Sequence, residues 1–128
     1  MLCPLGYGMI NKKLGGQDME TVLVLLDPGK LNNPDLDLRY RIPDLVEQAT
    51  GEAVKDGGYD YIDQEGAGPL MAIWLEAEDA GTAWKAVLDL FRKGPILDND
   101  LARSAEIYIS REEYAPLEKC RRVHPGED

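Results

Sequence analysis

The apolar positions of the chain fall into runs that predict four strands. Thr21–Leu26 has no interior polar residue, which is typical of a strand buried on both faces, and the turn Asp27-Pro28-Gly29 closes it. Tyr59–Asp63 and Leu70–Glu78 are joined by a glycine-containing loop, so they predict a hairpin. Apolar and polar residues alternate in Ala105–Ser110, which gives the last strand.

Two helices lie between these strands. The first is marked by apolar residues at helical spacing before a predicted stop at Gly51; these residues are Ile42, Leu45, Val46 and Ala49. The second helix covers Ala80–Lys93, and Asp79 is placed to cap its first turn. Its apolar stripe consists of Ala80, Ala83, Trp84, Val87, Leu88 and Phe91.

The order β-α-β-β-α-β predicts a ferredoxin-like α+β fold, in which two helices cover one face of a four-stranded antiparallel sheet. We expect the strands to lie side by side in the order 4-1-3-2. Residues 1–18 lack periodicity and predict a flexible leader, with Met19 as an alternative native start. Residues 19–114 then form a single α+β domain, and residues 115–128 form a C-terminal tail that lies on the surface or frays.

The net charge of −10 is distributed unevenly along the chain. Residues 27–79 hold 13 acidic and 4 basic residues, whereas residues 80–126 hold 7 acidic and 8 basic residues. Because nucleic acids and anionic membranes attract Lys and Arg, this excess argues against both as partners. It can steer a basic protein partner instead, and a solvated surface that aids solubility is the alternative interpretation.

The sequence carries no recognisable catalytic constellation. The one histidine, His124, lies near the end of the chain, and neither a GxSxG elbow nor a phosphate-binding glycine loop occurs. Asp98-Asn99-Asp100 opens like an oxygen-ligand loop, but Ala102 and Ile109 stand where further ligands are needed. We therefore predict a protein that is not an enzyme and has no cofactor and no metal site.

Cysteine spacing and hydropathy favour a cytoplasmic location. Cys3 and Cys120 lie near opposite ends without CxxC spacing, which suits free thiols in a reducing compartment. The longest apolar runs are far shorter than the roughly 20 residues that span a bilayer. The first ten residues also lack the basic start and apolar stretch of a secretory signal.

Alternation along the third strand indicates a candidate binding surface. If Met71, Ile73 and Leu75 face the helices, Trp74 points to the uncovered face of the sheet, and Tyr108 joins it there. Aromatic rings supply buried area at protein interfaces, and carboxylates guide approach. The predicted partner-binding residues are Tyr59, Asp60, Tyr61, Asp63, Trp74, Glu76 and Tyr108, the two hairpin tyrosines depending on register. The alternative is that the C-terminal tail or a second copy of the chain covers this face.

Three segments carry a resemblance to a known class of proteins. They are Asp27-Pro28-Gly29-Lys30-Leu31, Pro34-Asp35-Leu36-Asp37-Leu38-Arg39, and the strand Tyr59–Asp63 ahead of Leu70–Leu75. In these segments and in its charge the chain resembles small acidic bacterial immunity proteins. The resemblance implies a cytoplasmic inhibitor that neutralises a basic toxin domain by occluding its active surface.

Two other functions stay open at the level of sequence. One is a homodimeric ferredoxin-like sensor or small-ligand enzyme with a pocket between paired sheets. The other is an accessory domain that acts only as a structural adaptor.

Overall fold

The structure is a computed structural model that describes residues 19–64 and 66–125. The predicted leader over residues 1–18 lies outside the described residues. Within them, the chain forms one five-stranded antiparallel sheet. Its strands are β1 (Glu20–Leu26), β2 (Val54–Gln64), β3 (Ala67–Ala77), β4 (Ala105–Ser110) and β5 (Arg121–His124).

Neighbouring strands follow the order β2-β3-β1-β4-β5. The prediction of an α+β chain with an antiparallel sheet is confirmed. The predicted ferredoxin-like layout of four strands is wrong in the number of strands, because β5 pairs with β4 and adds a fifth strand at that edge. Strand β1 lies in the middle of the sheet, and all its residues from Thr21 to Leu26 are buried, as its apolar run predicts.

The helices pack on one face of this sheet. They are α1 (Leu38–Thr50), α2 (Ala80–Lys93) and the single turn α3 (Leu101–Ser104). Helix α1 ends at Gly51, whose φ of 61° is the left-handed conformation that favours glycine. Helix α2 has the predicted bounds, and the Asp79 carboxylate accepts a hydrogen bond from the Gly81 N–H at 3.0 Å.

The main core lies between the helices and the sheet. It joins the inward residues of the central strands to the apolar stripes of α1 and α2, and every predicted stripe residue of α2 is buried. In α1, Ile42 and Val46 are buried and Leu45 packs against the core, but Ala49 is exposed. The stripe of α1 is therefore narrower than its sequence spacing predicts.

The hairpin of β2 and β3 is longer than predicted and irregular. Its register shifts between Asp56 and Tyr59, where two glycines interrupt the strand. A Cβ at Gly57 would lie 3.1 Å from the Glu76 Cγ and 3.2 Å from the main-chain oxygen of Trp74, so a larger residue there would require β3 to move by a few tenths of an ångström.

The face of the sheet opposite the helices is covered by residues 112–120, here called the covering segment. The Thr21 hydroxyl donates to the Glu112 carbonyl at 2.7 Å and accepts from the Ala115 N–H at 3.1 Å. Leu117 and Cys120 pack against a second, smaller apolar cluster centred on Leu23, Leu25 and Ala72.

Over residues 115–125, the expectation that the chain only lies on the surface or frays is therefore wrong, because Ala115, Val123 and His124 are buried. After the covering segment the chain enters β5, where Val123 is buried against the main core. His124 is also buried, and its ring nitrogen Nε2 lies 2.8 Å from the carbonyl oxygen of Ala102. The division into a leader, a domain and a tail stays a prediction.

Among the described helices, none combines the length and the apolar character that crossing a membrane requires.

Candidate functional site

Two of the predicted site residues, Trp74 and Tyr108, lie on the face of the sheet opposite the helices, as the alternation predicts. Both are paired with Leu23 of the central strand. The expectation that their rings are open to water is wrong, because the covering segment half-buries them. The Trp74 indole N–H donates to the Ala115 carbonyl oxygen at 2.8 Å. The alternative of a face covered by the C-terminal part of the chain is thus confirmed.

The surroundings of this covered face raise the pKa of three groups. Burial, followed by a hydrogen bond from its hydroxyl to the Glu106 carboxylate at 2.9 Å, raises the pKa of Tyr108 to about 12. Burial also raises the pKa of the Cys120 thiol to about 11. A hydrogen bond to Glu76, another predicted site residue, raises the pKa of Tyr114 in the covering segment. All three pKa shifts arise from contacts with residues of the same chain.

Register places Tyr59 and Tyr61 on the other side of the sheet. Tyr59 pairs with Ile73 and Tyr61 pairs with Met71, and both partners face the helices. Since paired residues project to the same face, the two tyrosines lie on the helix side, beside α1. The register on which their joining Trp74 in one patch depends is therefore not the one found.

The two strand tyrosines instead join two residues of α1. The ring centroids of Tyr40 and Tyr59 are 5.8 Å apart, and those of Tyr59 and Tyr61 are 6.2 Å apart, both edge to face. Tyr40 is 54% exposed, Tyr59 40% and Tyr61 38%. Together with Arg39, these three rings form what we call the tyrosine surface.

Arg39 lies at the centre of the tyrosine surface. Its Nη1 donates to the Tyr61 hydroxyl at 3.0 Å. Its guanidinium carbon is 4.8 Å from the ring centroid of Tyr40 and 5.0 Å from that of Tyr59, within the range of cation–π attraction. The guanidinium thus contacts the rings of Tyr40 and Tyr59 and the hydroxyl of Tyr61, and it connects α1 to β2.

The contacts within the tyrosine surface also shift the pKa values of Arg39, Tyr40 and Tyr59. Hydrogen bonds to Tyr61 and Tyr40 raise the pKa of Arg39. Hydrogen bonding with Tyr59, and then with Arg39, lowers the pKa of Tyr40. The same hydrogen bond with Tyr40 raises the pKa of Tyr59. The phenols of the tyrosine surface are therefore inequivalent.

Acidic residues lie beside the tyrosine surface, on the side of Tyr40. Residues 35–63 contain eight acidic and three basic residues. A depression of about 510 Å³ borders Tyr40, and its acidic lining residues are Asp37, Asp44, Glu47 and Asp56. Of the predicted site residues, Asp60 and Asp63 are exposed on β2. Asp60 pairs with Ala72 and so projects to the face opposite the tyrosines.

Strand β2 is an edge strand whose backbone is partly occupied by side chains. The Asp56 N–H donates to Glu47 at 2.9 Å, the Gly58 N–H donates to Asp56 at 2.8 Å, and the Tyr61 N–H donates to Asp60 at 2.8 Å. Carboxylates that occupy edge N–H groups hinder the addition of a further strand. A partner at this edge would therefore meet side chains rather than an open backbone ladder.

Sequence reasoning missed Arg39 and Tyr40. Both lie outside the apolar stripe of α1, where helical periodicity predicts only exposure, although Arg39 is in fact half-buried. The spacing Tyr59-Asp60-Tyr61 puts both rings on one face of an edge strand next to a helix. It could therefore have indicated that residues of that helix contact the two rings.

Among the described residues, no group of three or more His, Cys, Asp or Glu side chains is placed to hold a metal ion. No protein-family model, curated protein or solved structure matches the chain.

Proposed function

We propose that the chain is a non-enzymatic binding protein that docks a basic protein partner through the tyrosine surface. The observation that carries this proposal is the concentration of exposed rings. Of the five large hydrophobic side chains that are exposed in the described chain, three are the tyrosines of this one contact cluster. Tyrosine is enriched among the residues that dominate binding energy at protein interfaces.

The charge of the segment that carries the rings supports a basic partner rather than an acidic or neutral one. The net charge of residues 35–63 is −5, and that of the whole chain is −10. A negative surface accelerates encounter with a positive one and disfavours acidic competitors. Because solvent-exposed charges are screened within about 10 Å at 0.1 M salt, this contribution should weaken as salt is added.

Inhibition of a basic toxin domain is the form of this function that the sequence predicts. A protein of this kind needs no catalytic group of its own, because covering the partner's active surface is sufficient. A cytoplasmic location, in which such a protein would meet an intracellular target, stays part of the proposal.

The alternative of a homodimer with a pocket between paired sheets has less support. Pairing through the sheet requires that the face opposite the helices be accessible. The covering segment occupies that face, with Trp74 bonded to Ala115 and with Leu117 and Cys120 packed on it. A strictly monomeric protein in light scattering would rule this alternative out.

The proposal is tested by selecting binders from a random peptide library displayed on phage. Such selections converge on surfaces where a few residues supply most of the binding energy. We expect the recovered peptides to be rich in Lys and Arg. Their affinity, measured by calorimetry, should fall about tenfold or more in the variants Tyr40→Ser and Tyr59→Ser, the range found when interface tyrosines are removed.

Tyr114→Ser is the matched control, because Tyr114 is 58% exposed but belongs to the covering segment. Its affinity for the same peptides should be unchanged, and circular dichroism confirms that each variant is folded. Selection of neutral or acidic peptides, or equal losses in all three variants, would overturn the proposal.

A further inference from the structure

A positive charge at the centre of a surface for a basic partner needs an explanation. Like charges repel, so removal of Arg39 should by charge alone favour such a partner. Yet Arg39 is half-buried, and its Nε atom is shielded from solvent without an acceptor, whereas Arg41 on the same helix is exposed. The guanidinium of Arg39 is turned into the ring cluster rather than toward an incoming molecule.

The three rings come from two separate elements, and Arg39 contacts every one of them. Tyr40 extends from α1, whereas Tyr59 and Tyr61 extend from an edge strand. The ring-to-ring contacts are edge to face and leave more than a third of each side chain exposed. Ordering exposed side chains on association opposes binding, and a surface that is ordered beforehand avoids that cost.

We propose that Arg39 is a positioning residue, which holds the three tyrosine rings in the arrangement that the partner meets. The proposal rests on the function proposed above and adds to it the residue that prepares the surface. It predicts that removal of Arg39 weakens binding of a basic partner, although it removes a like charge.

The test compares three variants in their binding of the tightest Lys- and Arg-rich peptide from the phage selection. Arg39→Met keeps a long side chain but loses the hydrogen bond and both cation–π contacts, and we expect its affinity to fall about five- to tenfold. Arg41→Met, the matched control, removes the same charge two residues away, and its affinity should stay the same or rise. Tyr61→Phe keeps the ring but removes the acceptor of Arg39, and should cause a smaller loss than Arg39→Met.

A second measurement on the free protein does not depend on any partner. We expect the ring signals of Tyr40 and Tyr59 in NMR spectra to shift toward random-coil positions in Arg39→Met. The pKa of Tyr40 is lowered by hydrogen bonding with Tyr59 and then with Arg39, so it should rise in the same variant. Both changes should be absent from Arg41→Met, and thermal unfolding of each variant confirms that the domain is intact.

The two measurements separate the possible failures. If no basic peptide is recovered but the ring signals move in Arg39→Met, the proposed function fails and the positioning role in the free protein stands. If the ring signals and the pKa of Tyr40 are unchanged, or if Arg39→Met binds the peptide as tightly as Arg41→Met, the positioning role is overturned.

Discussion

Tyr59 and Tyr108 belong to the same sheet, but their hydroxyl groups have different surroundings. Tyr59 lies on the helix side at the edge of the sheet, 40% exposed and in contact with Arg39. Tyr108 is half-buried under the covering segment and donates to Glu106. The same residue type is therefore exposed in a contact cluster in one place and packed under a covering segment in another.

The raised pKa of Tyr108 predicts how the free energy of unfolding changes at alkaline pH. Its value of about 12 in the folded protein lies above the ordinary 10, so folding favours the neutral phenol. The corresponding stabilisation is complete below pH 10 and is lost as the pH rises to about 12. In Tyr108→Phe, the free energy of unfolding should therefore fall less steeply with pH across this window, as measured by urea unfolding at successive pH values.

Cys120→Ala provides the comparison for that measurement. The thiol pKa of about 11 lies above the ordinary 9, so the stabilisation from Cys120 is lost between these two values. In this variant, the free energy of unfolding should depend less on pH between 9 and about 11. Its fall as the pH rises to about 12, which comes from Tyr108, should remain. Parallel profiles for Tyr108→Phe and the unaltered protein would contradict the assignment.

At the scale of elements, the sequence predicts best those segments whose apolar spacing is complete. The apolar run of β1 predicts a buried strand, and the six-residue stripe of α2 predicts an amphipathic helix. Both elements are found as predicted. Strand β5 is only four residues long, and its sequence Arg-Arg-Val-His has a single apolar residue, so no periodicity can be detected there. Its pairing depends on contacts with β4 that are distant in sequence.

The candidate site depends on register, which is the weakest part of a sequence-based prediction. The paired glycines before Tyr59 create an irregularity, and a shift of one residue exchanges the two faces of a strand. The alternation in β3 placed Trp74 correctly because that strand is regular where it pairs with β1. The sequence contained no comparable constraint for Tyr59 and Tyr61.

The packing of β5 against the main core leads to a second prediction about stability. Val123 is 1% exposed and packs against the main core. Val123→Ala should lower the free energy of unfolding by about 1–3 kcal/mol, because it removes two buried carbon atoms and leaves a cavity. Arg122→Ala, on the same strand but exposed, should change it by no more than about 0.5 kcal/mol in the same urea titration. Equal effects of the two variants would show that β5 is not part of the cooperative unit.

At the scale of the whole molecule, the two faces of the sheet have different coverings. One face carries the helices and, at the β2 edge, the tyrosine surface with its acidic surroundings. The other face is closed by the covering segment through bonds to Thr21 and Trp74. The described chain thus offers a partner one exposed cluster of aromatic rings, placed where the first half of the sequence concentrates its negative charge.

The most direct test of this account is a ¹⁵N NMR titration of the labelled protein with the tightest Lys- and Arg-rich peptide from the selection. We expect the largest shifts at the amides of Arg39, Tyr40, Tyr59 and Tyr61. The indole N–H signal of Trp74 should stay unchanged, because it already donates to Ala115. Shifts concentrated at Trp74 and Tyr108, with the tyrosine surface unaffected, would contradict it.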